Sequence, residues 1–148
     1  MMSSRFIADE KGQEFEPFRM LIAAVMALVV LMIIIGAINY FNGLRVNVSK
    51  QRFYDGLENA VRQPNGQPFK IENLQFLRGD AFSAKGLGNI MGLPEGCVSF
   101  VDKGTPAVEV GPSSATILQE MIGEVIAVCS PGTTCEVECE ITIQPAEP

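Results

Sequence analysis

The sequence contains no histidine and no tryptophan among its 148 residues. Without an imidazole, the chain has no side chain that could serve as the usual general base of Ser/His/Asp or Cys/His nucleophilic systems. The commonest catalytic zinc sites are excluded as well, because they need histidine ligands. No pair of acidic residues lies in a setting typical of carboxylate catalysis. The sequence therefore predicts a protein that is not an enzyme, with no catalytic residues, cofactor or metal.

Basic side chains are scarce in the C-terminal part of the chain. Residues 63–148 carry four Lys/Arg against eleven Asp/Glu, whereas residues 1–62 carry seven against six. The net charge of −6 is therefore concentrated in the C-terminal part. Such an acidic surface argues against a nucleic-acid partner, because proteins bind the phosphates of nucleic acids mainly through Lys and Arg.

Charge is missing altogether from Met20 to Ile38, a run of nineteen residues that also contains no proline. At about 1.5 Å per residue, a helix of this length spans about 28 Å, close to the hydrocarbon thickness of a bilayer. A helix in the core of a soluble protein would show a polar face at a period of 3.6 residues, and this run shows none. The run predicts a membrane-spanning helix or a helix in the core of a filament.

Beyond Ile38 the pattern becomes amphipathic. Apolar residues recur at helical spacing between Phe41 and Val61, with charged residues on the other side. The sequence Gln63-Pro64-Asn65-Gly66 is typical of a helix end. We therefore expect one long helix that is apolar in its first half and amphipathic in its second half.

The remaining residues predict a β-rich domain. The clearest strand is Cys135–Gln144, where apolar and polar residues alternate throughout, and it is expected to form a hairpin with Glu124–Cys129. Two short alternating segments are predicted, one with Phe69 and Ile71 and the next with Leu74 and Phe76. Two more strands are predicted at Cys97–Val101 and Ala107–Val110, joined around Asp102-Lys103-Gly104. The glycine-rich stretch Lys85–Gly92 is expected to be a loop or one helical turn.

Four cysteines permit three disulfide connectivities. Cys135 and Cys139 on one strand would lie about 13 Å apart, too far for a disulfide. A five-residue hairpin loop would place Cys129 opposite Cys135, so we favour Cys129–Cys135 with Cys97–Cys139. The other pairing that remains is Cys129–Cys139 with Cys97–Cys135. Because the chain has no C-x-x-C motif and no histidine, disulfides are favoured over a zinc site, and they place this domain in an oxidising compartment outside the cytoplasm.

Glu136, Glu138 and Glu140 alternate along the predicted last strand. We interpret them as one solvated face of that strand, with a cation site as the alternative.

Asn47-Val48-Ser49 is an N-glycosylation sequon. Asn47 is therefore a candidate acceptor, and this would agree with an extracytoplasmic position for the residues after the apolar run.

The stretch from Glu10 to Pro17, Glu-Lys-Gly-Gln-Glu-Phe-Glu-Pro, followed by the apolar run, resembles the class III signal peptide of archaeal type IV pilin-like proteins. Precursors of that family carry a short charged leader that ends in Lys-Gly, then a glutamine, an early acidic residue and an uninterrupted hydrophobic helix. The resemblance covers roughly residues 10 to 40. It implies that a prepilin peptidase cleaves between Gly12 and Gln13.

One position departs from the family pattern. The fifth residue after the implied cleavage site is Pro17, whereas the family usually has an acidic residue there. The resemblance gives that acid the role of pairing with the N-terminal amine of a neighbouring subunit. Glu16 is the candidate for this role and Glu14 the second candidate. The alternative is that both are ordinary acids in the first helical turn, favoured by the helix dipole, with Pro17 suited to an early helical position.

Together the residues and the resemblance predict an α+β fold, with a long N-terminal hydrophobic and amphipathic stalk helix and a small, disulfide-stapled, antiparallel β-rich head. Residues 1–12 would be a leader peptide or cytoplasmic tail, residues 13–62 the stalk helix with a membrane or filament core at about 18–41, and residues 65–148 the extracellular head.

The resemblance implies a structural subunit, a pilin or minor pilin-like protein, of an archaeal type IV filament at the cell surface. Its partners would be copies of itself or other pilin-like subunits, the membrane before assembly, and the prepilin peptidase. The alternative is a single-pass membrane-anchored protein whose extracytoplasmic domain binds a partner or supports an envelope complex.

Overall fold

A computed structural model describes residues 16–147 of the chain. Helix α1 runs from Glu16 to Arg62, a length of 47 residues. The chain divides into two units, residues 1–42 and residues 43–148, and each is described by itself. The described part of the first unit is helical throughout. The second unit contains the rest of α1 and the following elements: β1 (Pro68–Phe76), β2 (Ala81–Ser83), α2 (Ala84–Met91), a 3₁₀ turn (Glu95–Cys97), β3 (Val98–Phe100), β4 (Val108–Val110), β5 (Ser114–Ile117), β6 (Met121–Ser130) and β7 (Glu138–Pro145).

The strands form two sheets. The larger sheet has four strands in the order β1-β6-β7-β3, and the smaller has three in the order β2-β5-β4. Every pairing is antiparallel except that of β3 with β7, which is parallel. The predicted α+β architecture, a long N-terminal helix with an antiparallel-rich head and two disulfides, is confirmed.

Strand β1 contains a bulge that explains its irregular sequence pattern. The register against β6 shifts between Ile71 and Leu74, and Asn73 has a positive φ of 57°. Because of this extra residue, the side chains of Leu74 and Phe76 are buried on the same side of the strand as that of Ile71. The two short alternating segments expected from the sequence are therefore one strand.

The second half of α1 packs on the sheets. Five residues recur at helical spacing and form its buried side: Ser49, Phe53, Gly56, Leu57 and Ala60. Phe53 is 1% exposed. Its ring lies 6.4 Å from that of Phe76 in β1 and 5.1 Å from that of Phe82 in β2, both edge to face. One helical side chain therefore contacts both sheets.

Polar contacts hold the same part of α1 against the β1–β2 connection. The Ser49 hydroxyl accepts a hydrogen bond from the backbone N–H of Gln75 at 3.1 Å. The Lys50 ammonium lies 3.4 Å from one carboxylate oxygen of Asp80, and the other oxygen accepts from the N–H of Leu77 at 2.9 Å. These contacts fix the rotation of the helix on the sheet edge.

The glycine-rich stretch is more helical than predicted, because α2 has eight residues rather than one turn. Ser83 caps its N-terminus by accepting from the N–H of Gly86, and Gly92 ends it in the left-handed conformation. Gly88 is required inside the helix, since a Cβ there would lie 2.7 Å from the carbonyl oxygen of Leu93.

Two strand predictions need correction. The strands predicted at 97–101 and 107–110 are present as β3 and β4, but they belong to different sheets. The last strand begins at Glu138 rather than at Cys135, so the connection between β6 and β7 is longer than the predicted five residues.

Gly56 provides a test of the helix–sheet packing. A Cβ at this position would overlap the side chain of Ile71, whereas one at Gly43 in the same helix would have no neighbour within 4 Å. Because overpacking costs about 1–3 kcal/mol and the gain in helix propensity is at most about 1 kcal/mol, we expect Gly56→Ala to lower the free energy of unfolding by about 1 kcal/mol.

Gly43→Ala is the matched control and is expected to be neutral or stabilising, since it gains helix propensity without a clash. Urea unfolding of the full chain in detergent, followed by the near-UV circular dichroism of the half-buried Tyr54, measures both variants. Equal stability of the two variants would contradict the close packing of Gly56 on Ile71.

Candidate functional site

The first half of α1 presents an apolar surface around its whole circumference. Every residue from Glu16 to Phe41 is exposed, and seventeen large apolar side chains between Phe18 and Phe41 are among them. Burying one such side chain contributes about 1.5–3 kcal/mol. Leaving all of them in water would therefore cost tens of kcal/mol, more than the stability of about 5–15 kcal/mol of a typical domain. This surface needs lipid or other apolar helices as its surroundings.

The apolar surface ends at an aromatic pair. Tyr40 and Phe41 are both exposed, with ring centroids 6.1 Å apart in an edge-to-face arrangement. Aromatic residues at the end of an apolar helix are typical of a membrane–water interface. By length and composition α1 is the one helix in residues 16–147 that could cross a membrane.

The predicted processing and pairing residues are only partly within the described residues. Gly12, Gln13 and Glu14 lie outside them, so the cleavage site stays a prediction. Glu16 is the first residue of α1 and is exposed in its first turn. An acid at this end of a helix is favoured by the helix dipole, and the pairing role of Glu16 stays a prediction as well.

Two disulfides link the four cysteines, but not in the pairing favoured from the sequence. The bonds join Cys97 to Cys135 and Cys129 to Cys139. The preferred assignment of Cys129–Cys135 with Cys97–Cys139 is therefore wrong, and the other pairing is correct.

The physical reason is the register of β6 and β7. Cys129 lies directly opposite Cys139, and their Cα atoms are 4.1 Å apart. Cys135 precedes β7, and from there it reaches Cys97 in the 3₁₀ turn before β3, with a Cα–Cα distance of 5.9 Å. The second bond thus ties the β6–β7 connection to the start of the edge strand β3.

The three acids of the predicted last strand do not share one face of it. Glu138 and Glu140 are exposed on β7, whereas Glu136 lies in the preceding connection. Glu136 borders a separate depression with Leu93, Pro94 and Val137. No group of three or more acids, cysteines or histidines in residues 16–147 is placed to hold a metal ion.

The candidate glycosylation site lies on a helix. Asn47 is exposed on α1, but Ser49, the hydroxyl residue of the sequon, is 8% exposed and accepts the hydrogen bond from Gln75 described above. In the folded second unit the sequon is helical and its hydroxyl is engaged. Use of Asn47 stays a prediction.

No protein-family model, curated protein or solved structure matches this chain. The exposed apolar helix and the two disulfides nevertheless indicate a membrane-anchored or extracellular protein.

Separate removal of the two disulfides tests their pairing and their effect on stability. In the chain-entropy description, Cys97–Cys135 with a sequence separation of 38 contributes about 4 kcal/mol and Cys129–Cys139 with a separation of 10 about 3 kcal/mol. We expect the Cys97→Ala/Cys135→Ala variant to unfold at lower urea concentration than the wild type and to retain the Cys129–Cys139 bond.

Peptide mapping under non-reducing conditions measures the bonds that remain. Recovery of a Cys129–Cys135 or Cys97–Cys139 peptide from the wild-type chain would contradict the pairing. The Cys129→Ala/Cys139→Ala variant is the matched comparison for stability, because it removes the shorter loop.

Proposed function

We propose that this chain is a structural subunit, a pilin or minor pilin-like protein, of an archaeal type IV filament, assembled through the apolar half of α1. The observation that carries the proposal is the division of α1 at about residue 42. Its first half is apolar on every side and exposed, and its second half is built into a β-rich unit with two disulfides. A filament subunit needs both, since one half packs among other helices and the other half carries the surface domain.

The leader sequence supports the same proposal. The Lys11-Gly12-Gln13 sequence and the acids Glu14 and Glu16 precede the apolar run at the positions that a prepilin peptidase substrate requires, apart from the shift of the acid by one position. In this scheme the apolar half of α1 lies in the membrane until cleavage. It then moves into the filament, where helices of neighbouring copies replace the lipid.

A permanently membrane-anchored protein is the second candidate function. The aromatic pair Tyr40 and Phe41 favours it, because these side chains suit the interface of a bilayer. In that case the leader would remain attached as a cytoplasmic tail, and the second unit would bind its partner outside the cytoplasm.

The N-terminus of the protein in its native cells distinguishes the two. We expect intact-mass and N-terminal peptide analysis to find a chain that starts at Gln13, and we expect Gly12→Arg to leave the precursor uncut, because the peptidase would no longer find a small residue before the cleaved bond. Lys11→Arg is the matched control, since it retains the charge and should still be cleaved. A native chain that starts at Met1 or Met2 would exclude the filament subunit and leave the anchored protein.

The pairing acid can be tested in the same cells. We expect Glu16→Gln to reduce the amount of chain recovered in sheared filaments about tenfold or more, because a lost charge partner leaves the N-terminal amine of a neighbour unpaired among apolar helices. Glu14→Gln is the matched variant and should have a smaller effect. A larger effect of Glu14→Gln would assign the pairing role to Glu14 instead.

A further inference from the structure

The outer face of the four-stranded sheet contains an open depression of about 210 Å³. Two carboxylates, Glu138 and Glu140 of β7, line it together with the hydroxyl residues Ser99 and Ser130 and the apolar side chain of Val128. Glu140 is directly paired with Val128 and Ser99 on the neighbouring strands, and Glu138 with Ser130. These side chains therefore share one face because of the strand register.

This face points away from α1. In β7, Cys139, Ile141 and Ile143 are buried in the core with the helix, and the residues between them point to the opposite side. No cation of α1 in the same chain can therefore reach the depression through the sheet. The depression is open on the side away from α1, so a cationic side chain of a second copy of this chain can reach it.

Two arginines in the part of α1 that belongs to the second unit have no acidic partner in the described part of the chain. The ion pairs formed there are Lys50–Asp80 and Glu58–Arg62, so Arg45 and Arg52 are unpaired, as are Glu138 and Glu140. Arg45 and Arg52 are both exposed. Because they are seven residues apart, they lie on the same side of the helix, with about 10 Å between them along its axis.

The surroundings of the two arginines are partly apolar. Leu44 is 40% exposed and Val48 is 47% exposed on the neighbouring part of the helix surface. This combination of apolar side chains and guanidinium groups is typical of the centre of a protein–protein interface, where arginine is enriched.

The depression has the chemistry that a guanidinium group requires. Its five N–H donors can be shared between carboxylate and hydroxyl oxygens, and its planar faces pack on apolar groups such as Val128. Two carboxylates at neighbouring positions of one strand also suit charge-assisted hydrogen bonds to arginine.

We propose that, in the assembled filament, Arg45 and Arg52 on α1 of one subunit bind the depression formed by Glu138 and Glu140 on the sheet of a second copy of this chain. This inference rests on the proposed filament function and specifies a contact between subunits outside the apolar core. It is a heterologous contact, because each copy offers a basic helix surface to one neighbour and an acidic depression to another. A heterologous contact whose rotation does not close into a ring propagates along a filament.

A charge exchange tests the contact. In cells that produce only the variant, we expect Arg45→Glu/Arg52→Glu to reduce the chain recovered in sheared filaments about tenfold or more, because like charges would face each other at the interface. Glu138→Arg/Glu140→Arg should give a similar loss. The chain that carries all four substitutions should recover assembly to within a few-fold of the wild type, because opposite charges face each other again.

Matched controls separate this contact from a general effect of charge. Lys103→Glu and Glu109→Lys change the charge of other exposed positions in the second unit and should assemble like the wild type. Cleavage at Gly12 and the two disulfides, measured by mass spectrometry, report whether each variant is processed and folded.

The outcomes separate this inference from the proposed function. Wild-type chain that is processed but forms no filament would overturn both. Wild-type filaments together with normal assembly of either reversed pair would overturn the contact alone. Loss in both reversed pairs without recovery in the fourfold variant would also overturn the contact. If the arginine reversal instead removes binding to vesicles of anionic lipid and leaves filament assembly unchanged, the arginines bind lipid headgroups and the inference is wrong.

Discussion

The packing of Phe53 between Phe76 and Phe82 is the contact on which the rest of the second unit depends. It joins the helix to the first strand of each sheet, and the rings of Phe76 and Phe82 also contact each other, with centroids 5.8 Å apart. Edge-to-face pairs of this kind add to the burial of large apolar area. One side chain of α1 therefore packs against both sheets. The polar contacts of Ser49 and Lys50 lie one turn before it and fix the same side of the helix.

This anchoring gives α1 two different environments along one continuous helix. From Ser49 onward, one side of the helix is buried in a small domain and the other is wet. Between Met20 and Ile38, every side of the helix is exposed and apolar. A helix surrounded by lipid or by other apolar helices does not need a polar face. The second half of α1 needs a polar face because water surrounds its exposed side. The change in sequence pattern near residue 42 is therefore a change of solvent.

Most of the architecture could be predicted from the sequence because it depends on local periodicity. The apolar run from Met20 to Ile38 predicts a helix, and the alternation from Glu138 onward predicts a strand. The disulfide pairing failed because alternation continues through Cys135-Glu136-Val137, although the strand has not yet begun. The predicted length of helix α2 was too short, because the prediction gave more weight to its glycines than to the capping residues Ser83 and Gly92. The contacts of Ser49 with Gln75 and of Gly56 with Ile71 join distant segments and have no local signature. The depression at Glu138 and Glu140 depends on strand register in the same way.

The order of strands in the larger sheet has a consequence for how the protein is made. Its two central strands, β6 and β7, are the last two of the chain, while the edge strand β1 follows the helix directly. Three of the four cysteines also lie in this final stretch. During synthesis β1 and β3 are made before β6 and β7, the strands with which they pair. Folding of the larger sheet must therefore wait until β6 and β7 have been made, so a chain interrupted before β7 would keep its apolar helix but lack a folded second unit.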